Sequence, residues 1–344
     1  MTATPKTLVL AQIKHHETGP IPYTLGFEGD VAERLDAHYR DAGWRDLLDI
    51  AILHVPTPNL VIEETGDAQY RDLFGSLWRV DQRPFQLVEP ALPSPSFEGF
   101  AFPDLDELYT PAWREEALHF INRNDDRFLV AGFGFGLFER TWTLRGFNEA
   151  LMDAAGDPDF YDELVQRIAD HQAAIIEHLL DLPVDGIMFS DDWGYQQGVL
   201  LGPDRWRRFL KPRLAEMYRR VHAAGKVTLS HCCGSIAAIL PDLIEIGLDV
   251  YESVQPEARD SNPYELKRRF GEHITFWGGL GSQSTIPYGT PEAIRAEVAR
   301  LCSEMGRGGG YILGPAKALQ PETPVENAAA VVESFLQQAG VSFP

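Results

Sequence analysis

Cysteine is scarce in this chain: only Cys232, Cys233 and Cys302 occur in 344 residues, without the paired spacing of a disulfide framework. A reducing, cytoplasmic setting is therefore expected. Positive charge is also short, with 30 basic residues against 51 acidic and a formal net charge of -21, so nucleic acid and anionic membrane surfaces would be repelled. No stretch approaches the roughly 20 apolar residues that span a bilayer. The start, Met1-Thr2-Ala3-Thr4-Pro5-Lys6, lacks the apolar core of a signal peptide. A Gly-x-Gly-x-x-Gly turn is missing as well, since Gly132, Gly134 and Gly136 have the wrong spacing, and this argues against a dinucleotide fold. Neither internal repeats nor low-complexity linkers are present.

What the chain does have is an alternation of short apolar runs and longer amphipathic stretches. The β-type runs are 21–27, 50–55, 128–135, 184–189, 226–231, 248–254, 273–277 and 310–313. Helical periodicity marks 147–153, 158–180, 203–224, 236–246, 263–270, 291–305 and 324–339, several opening on Pro or Asp-Pro as helix starts prefer. Eight runs separated by helices predict an α/β chain forming a (β/α)8 barrel, a TIM barrel, in a single domain over 1–344. Residues 1–125 would supply an N-terminal extension, the first strands and an inserted β-hairpin turning at Gly75-Ser76, and 126–340 the core βα units.

In a parallel barrel the chemistry sits at the C-terminal strand ends. Five successive ends are polar here: Ser190 to Tyr195, His231 to Gly234, Tyr251 to Pro256, Trp277 to Gln283, and Gly314 to Lys317. On a strand, residues two apart face the same way, so His231 and Cys233 can converge on one atom. Thiolate plus imidazole suits zinc, although zinc wants at least three protein ligands; Glu252 offers an oxygen, or else a partner for an arginine. The alternative is that the cysteines are small buried hydrophobes and His231 a hydrogen-bonded core group. Asp191 and Asp192 are either a turn or cap, or carboxylates able to ligate a metal or stabilise a cation. Trp193 and Tyr195 offer flat surface to a substrate, and Lys317 a cation for a carboxylate or phosphate, or an acid. The candidate catalytic groups are thus Asp191, Asp192, Lys317 and Tyr195. Trp193, Gln255, Trp277 and Gln283 are candidates for substrate binding, and His231, Cys233 and Glu252 for metal. His15, His16 and Glu17 read as a solvated cluster.

Several segments, taken in order, resemble the uroporphyrinogen decarboxylase superfamily, which includes cobamide-dependent methyltransferases. They are the strand near Gly134, Val184 to Phe189 leading into Asp191-Asp192-Trp193-Gly194, Pro203 to Pro212, His231-Cys232-Cys233-Gly234, Trp277-Gly278-Gly279-Leu280 and Pro321 to Asn327. The resemblance covers roughly residues 125 to 340 and implies a (β/α)8 barrel, often dimeric. It also implies a choice of chemistry. Decarboxylases of this superfamily carry an arginine-rich motif near the N-terminus, whereas Gly19 to Asp30 contains no arginine, and Lys317 stands where they place a histidine. The methyltransferases bind zinc through His-x-Cys-Gly, matched by His231 to Gly234, plus a second cysteine whose place Lys317 takes.

The leading expectation is a methyltransferase moving a methyl group from a small, methoxylated substrate to a corrinoid protein, with zinc assistance. A metal-independent decarboxylase is the second reading, and a non-catalytic small-molecule or corrinoid-binding barrel the third.

Overall fold

The computed structural model describes residues 3–58, 61–66 and 68–342. Seven strands form one sheet in chain order, each parallel to the next: β1 Ile52–His54, β2 Phe128–Phe135, β3 Gly186–Ser190, β4 Val227–His231, β5 Val250–Val254, β6 Thr275–Leu280 and β7 Tyr311–Pro315. The expected strand at 21–27 is not a regular one. It makes isolated parallel bridges from Tyr23 to Leu313 and Phe27 to Leu319, while the Tyr23 carbonyl accepts from the Ala51 amide at 2.9 Å. Pro20 and Pro22 lack the N–H groups that a continuous ladder needs. The segment nevertheless lies between β7 and the entrance to β1 and completes the barrel.

Helix starts follow the local chemistry. Thr4, Thr110, Asp157, Asn262 and Thr290 each precede a proline, and each side chain accepts from an amide three residues on. Cap and proline together satisfy or remove N–H groups that have no partner in the first turn. The stretch expected as one helix over 203–224 divides into Pro203–Phe209 and Lys211–Ala223. Pro212 is the cause, because it cannot donate to the preceding turn.

Between β1 and β2 lies a four-stranded antiparallel sheet, Val61–Gly66, Gln69–Asp72, Leu77–Arg79 and Gln86–Glu89, larger than the single hairpin expected. Its central turn is held by buried Asp72, which accepts from the Phe74 and Ser76 amides and the Trp78 indole at 2.9–3.0 Å. The Ser76 hydroxyl donates to the Thr143 carbonyl at 2.7 Å and so ties the insert to the barrel helices.

All seven strands contribute to one apolar cluster: Ile52, Phe128 and Val130, Met188, Leu229, Val250, Trp277 and Ile312. Val9, from the helix Pro5–Ile13, joins it and closes the N-terminal end of the barrel. Side chains alternate along a strand, so residues two beyond this ring face the same way, toward the C-terminal mouth. For Ile52, Leu229 and Val250 those residues are His54, His231 and Glu252. A polar layer therefore rests on an apolar floor.

Candidate metal centre at the barrel mouth

His231 ends β4 and Glu252 lies opposite it in the β4–β5 register. Glu252 Oε2 hydrogen bonds His231 Nδ1, which leaves Nε2 aimed toward the mouth. Asp192 Oδ1 lies 3.6 Å from that Nε2. Cys233 lies beyond the strand, so alternation along β4 does not bring it there. The turn is instead held by long-range hydrogen bonds, since Asp192 Oδ1 accepts from the Cys233 amide and Gln255 Oε1 from the Gly234 amide, both at 2.9 Å. Gly234 has φ +82°, and a Cβ there would lie 2.8 Å from the Tyr195 nitrogen. Only glycine lets the two loops cross so closely.

One ligand atom each from Asp192, His231 and Cys233 falls within 4.8 Å of the others. Carboxylate, imidazole and thiolate make three zinc-compatible donors, which leaves a fourth position for substrate. Glu252 stands outside this trio. It was expected as a ligand, but its hydrogen bond to Nδ1 makes it the group that orients the histidine and selects its tautomer. Burial lowers the pKa of His231, yet Glu252, Cys233 and Asp192 outweigh it and hold the value well above 6.5. Cys232 is fully buried, and burial raises its thiol well above the ordinary range, so it is a core residue. Cys302 follows the helix Pro291–Arg300 in a π turn, outside the trio.

The neighbouring aspartates have separate tasks. Asp191 is buried and accepts from the Phe138 and Glu139 amides at 2.9 and 2.8 Å and from the Trp193 indole at 2.6 Å. It caps the helix Leu137–Arg145, whose preceding Gly136 is required because a Cβ there would lie 2.5 Å from Asp191 Cβ. Burial raises its pKa to about 7 against the pull of those donors. Asp191 is thus a positioning group rather than one that reaches the cleft.

Trp193 and Trp277 also differ from expectation. Trp193 is 1% exposed, packed edge-on to Trp206 and bonded to Asp191, so its ring offers no face to a ligand. Trp277 belongs to the apolar floor and donates to Thr24 Oγ1 at 2.7 Å. Tyr195 stays half exposed on the loop that crosses Gly234.

Gln255, Gln283 and Lys317 come together beside Cys233. With Ser282, Ala316, Gln320 and Glu322 they line a cavity of about 220 Å³. Gln283 accepts from Gln196 at 3.1 Å. His15 is not simply solvated: its ring packs on Gly310 at the closed end of the barrel, while Glu17 accepts from the Gly308 amide at 2.8 Å.

Two residues at the mouth were missed. His54 ends β1, and its pKa is lowered by burial, an effect that Glu252 opposes and His231 reinforces. Glu139, in the first turn after β2, is pushed up to about 8 by burial and by Asp191 and Asp192. Applying the strand-end rule to the second and third runs as well would point to both.

The uroporphyrinogen decarboxylase family model matches residues 104–337. Among curated proteins, the methylcobamide:CoM methyltransferase MtaA of Methanosarcina barkeri is 28% identical over 174 residues, 51% of this chain and 48% of that protein. Uroporphyrinogen decarboxylase of Coxiella burnetii is 25% identical over 181 residues, 52% of this chain and 47% of that protein. The chain thus spans about half the length of these relatives. Among solved structures, a methyltransferase from Methanosarcina mazei superposes with a TM-score of 0.71 at 21% identity, over 96% of this chain and 98% of that one, a likeness of fold.

Proposed function

Since this chain belongs to the uroporphyrinogen decarboxylase family, whose relatives include both methyltransferases and decarboxylases, we propose that it is a methyltransferase that takes a methyl group from a small methylated substrate, such as a methoxylated aromatic, and passes it to a corrinoid protein. The observation that carries this reading is the convergence of Asp192, His231 and Cys233 at the mouth, backed by Glu252. Zinc held there would supply Lewis-acid polarisation of the oxygen that gives up the methyl group.

The surrounding residues fit that chemistry. Glu252 keeps His231 Nε2 pointed into the cleft by holding Nδ1. Asp192 fixes the Cys233 turn through the Cys233 amide, so carboxylate and thiol are positioned together. Glu139 has its pKa pushed up to about 8, first by burial and then by Asp191 and Asp192, which favours the protonated carboxyl. As the methyl group leaves the ether for the reduced corrinoid, the oxygen gains the electron pair of the broken bond, and Glu139 can deliver its proton there. The methyl ether thereby becomes a hydroxyl group, a phenol where the ether is aromatic. Decarboxylation of a porphyrinogen is less well supported, because Lys317 is the one cation lining the cavity beside Cys233. An octacarboxylate would need several.

Elemental analysis and turnover test this together. The wild type is expected to hold about one equivalent of zinc, and to move methyl groups from methoxybenzoates to a reduced corrinoid protein. Cys233→Ser and His231→Ala are each expected to lose the metal and at least about a hundredfold of the activity. A metal-free Cys233→Ser protein with full turnover would overturn the reading.

A further inference from the structure

The cavity beside Cys233 carries more information than its size. Its lining is polar, with Gln255, Gln283, Gln320, Ser282, Lys317 and Glu322 beside Cys233. Its volume of about 220 Å³ is on the scale of a small organic acid rather than a tetrapyrrole.

Lys317 is fixed at its main chain and free at its tip. Its amide donates to Ser282 Oγ at 2.9 Å, and that hydroxyl donates back to the Lys317 carbonyl at 3.2 Å. No hydrogen bond or ion pair to a described residue engages Nζ. Other cations of the chain, such as Lys6, Lys211 and Arg213, find carboxylates, whereas Lys317 is exposed and leaves its ammonium available to a ligand. Glu322 lines the same cavity yet forms no ion pair with Lys317 within 4.0 Å. Gln283 and Gln255 are held by Gln196 and by the Gly234 amide respectively, so the polar wall is preorganised.

We infer that this cavity is a carboxylate-binding subsite, in which Lys317 Nζ takes the acid group of the substrate and holds the rest of the molecule against Cys233. The inference builds on the methyl-transfer reading and names its substrate class: small methoxylated carboxylic acids, with the acid in the cavity and the methyl ether toward the trio of Asp192, His231 and Cys233. Lysine suits the task as a compact point charge that any small carboxylate can approach. Glu322 in the same lining sets a limit, since a second carboxylate on the ligand would meet like charge there.

Calorimetric titration of methoxyacetate and of the three methoxybenzoates, each paired with its uncharged methyl ester, tests the subsite without corrinoid and without turnover. At least one acid is expected to bind the wild type more tightly than its ester. Lys317→Met, which keeps the aliphatic stem, is expected to lose roughly tenfold to a hundredfold in affinity for that acid while leaving the ester unchanged. Lys317→Arg should retain most of it, and Glu322→Gln should tighten it severalfold. Equal binding of acid and ester, no binding of any acid, or an unchanged affinity in Lys317→Met would overturn the subsite. The same titration on Cys233→Ser separates the two ideas. Acid binding that persists there, together with a wild type that shows no methyl transfer, supports the subsite and sinks the reaction.

Discussion

The two ends of this barrel are built from similar residues and behave in opposite ways. At the N-terminal end, Gln12 is fully buried, with its Oε1 accepting from the Tyr311 amide at 3.0 Å and its Nε2 donating to Thr18 at 2.8 Å. His15 lies beside it, and burial first, then Lys267 and His273, hold its pKa below 6.5. At the mouth, His231 is surrounded by Glu252, Asp192 and Cys233, and its pKa is raised. One end ties Gln12 into the backbone and seals, and leaves His15 Nδ1 buried without a hydrogen-bond partner among the described residues. The other leaves a histidine nitrogen, a thiol and a carboxylate facing one another, and it gathers negative groups that a bound cation would balance.

The largest effect that could break this contrast lies at the mouth. Glu252→Gln keeps a hydrogen-bonding group beside His231 Nδ1 but removes the charge. A fall of roughly tenfold to a hundredfold in zinc affinity is expected from chelator competition, with unfolding stability changed by less than about 1 kcal/mol. Unchanged affinity would mean that the pair is merely structural.

Next come residues whose loss should be felt in stability. Asp191→Ala removes the acceptor for two helix amides and an indole, with an expected cost of about 3 kcal/mol and a Tm lower by about 4 °C. Asp192→Asn should leave Tm nearly unchanged while weakening metal binding. A reversed pattern would exchange the roles assigned to these neighbours. At the closed end, Gln12→Leu strands the Tyr311 amide and should cost about 2 kcal/mol in denaturant unfolding, with metal content untouched.

The smallest effect concerns pH. Because the folded-state pKa of His15 is depressed, its site imposes no cost above about pH 6.5, where the ring is neutral folded and unfolded. Stability is lost as pH falls from 6.5 through the folded value, since the unfolded chain takes the proton first. For His231 the sign is opposite: its contribution is complete below pH 6.5 and is lost as pH rises through the elevated folded value. His15→Leu should therefore make the decline of Tm between pH 7 and pH 5 shallower in scanning calorimetry. An unaltered slope would remove His15 from the account.

Much of this was legible in local chemistry. Short apolar runs between amphipathic stretches located seven strands, and cap-proline pairs such as Asp157-Pro158 and Asn262-Pro263 started helices where the structure has them. Strand ends pointed to the mouth and to His231, Cys233 and Asp192. Irregular closure at 21–27 and the break at Pro212 were not read, although proline's missing donor was present in the sequence to explain both.

The order of strands, the helix starts and the end of the barrel that carries chemistry are properties of short segments, and the sequence alone determines them. Which aspartate of the Asp191-Asp192 pair faces the cleft is a different matter, as are the capture of Glu252 by His231 and the burial of Trp193. These depend on loops from separate βα units crossing at Gly234 and on a helix start arriving at Asp191. No local pattern encodes such meetings, because side-chain direction in a loop is set by the partners it encounters. Only the tertiary structure decides them.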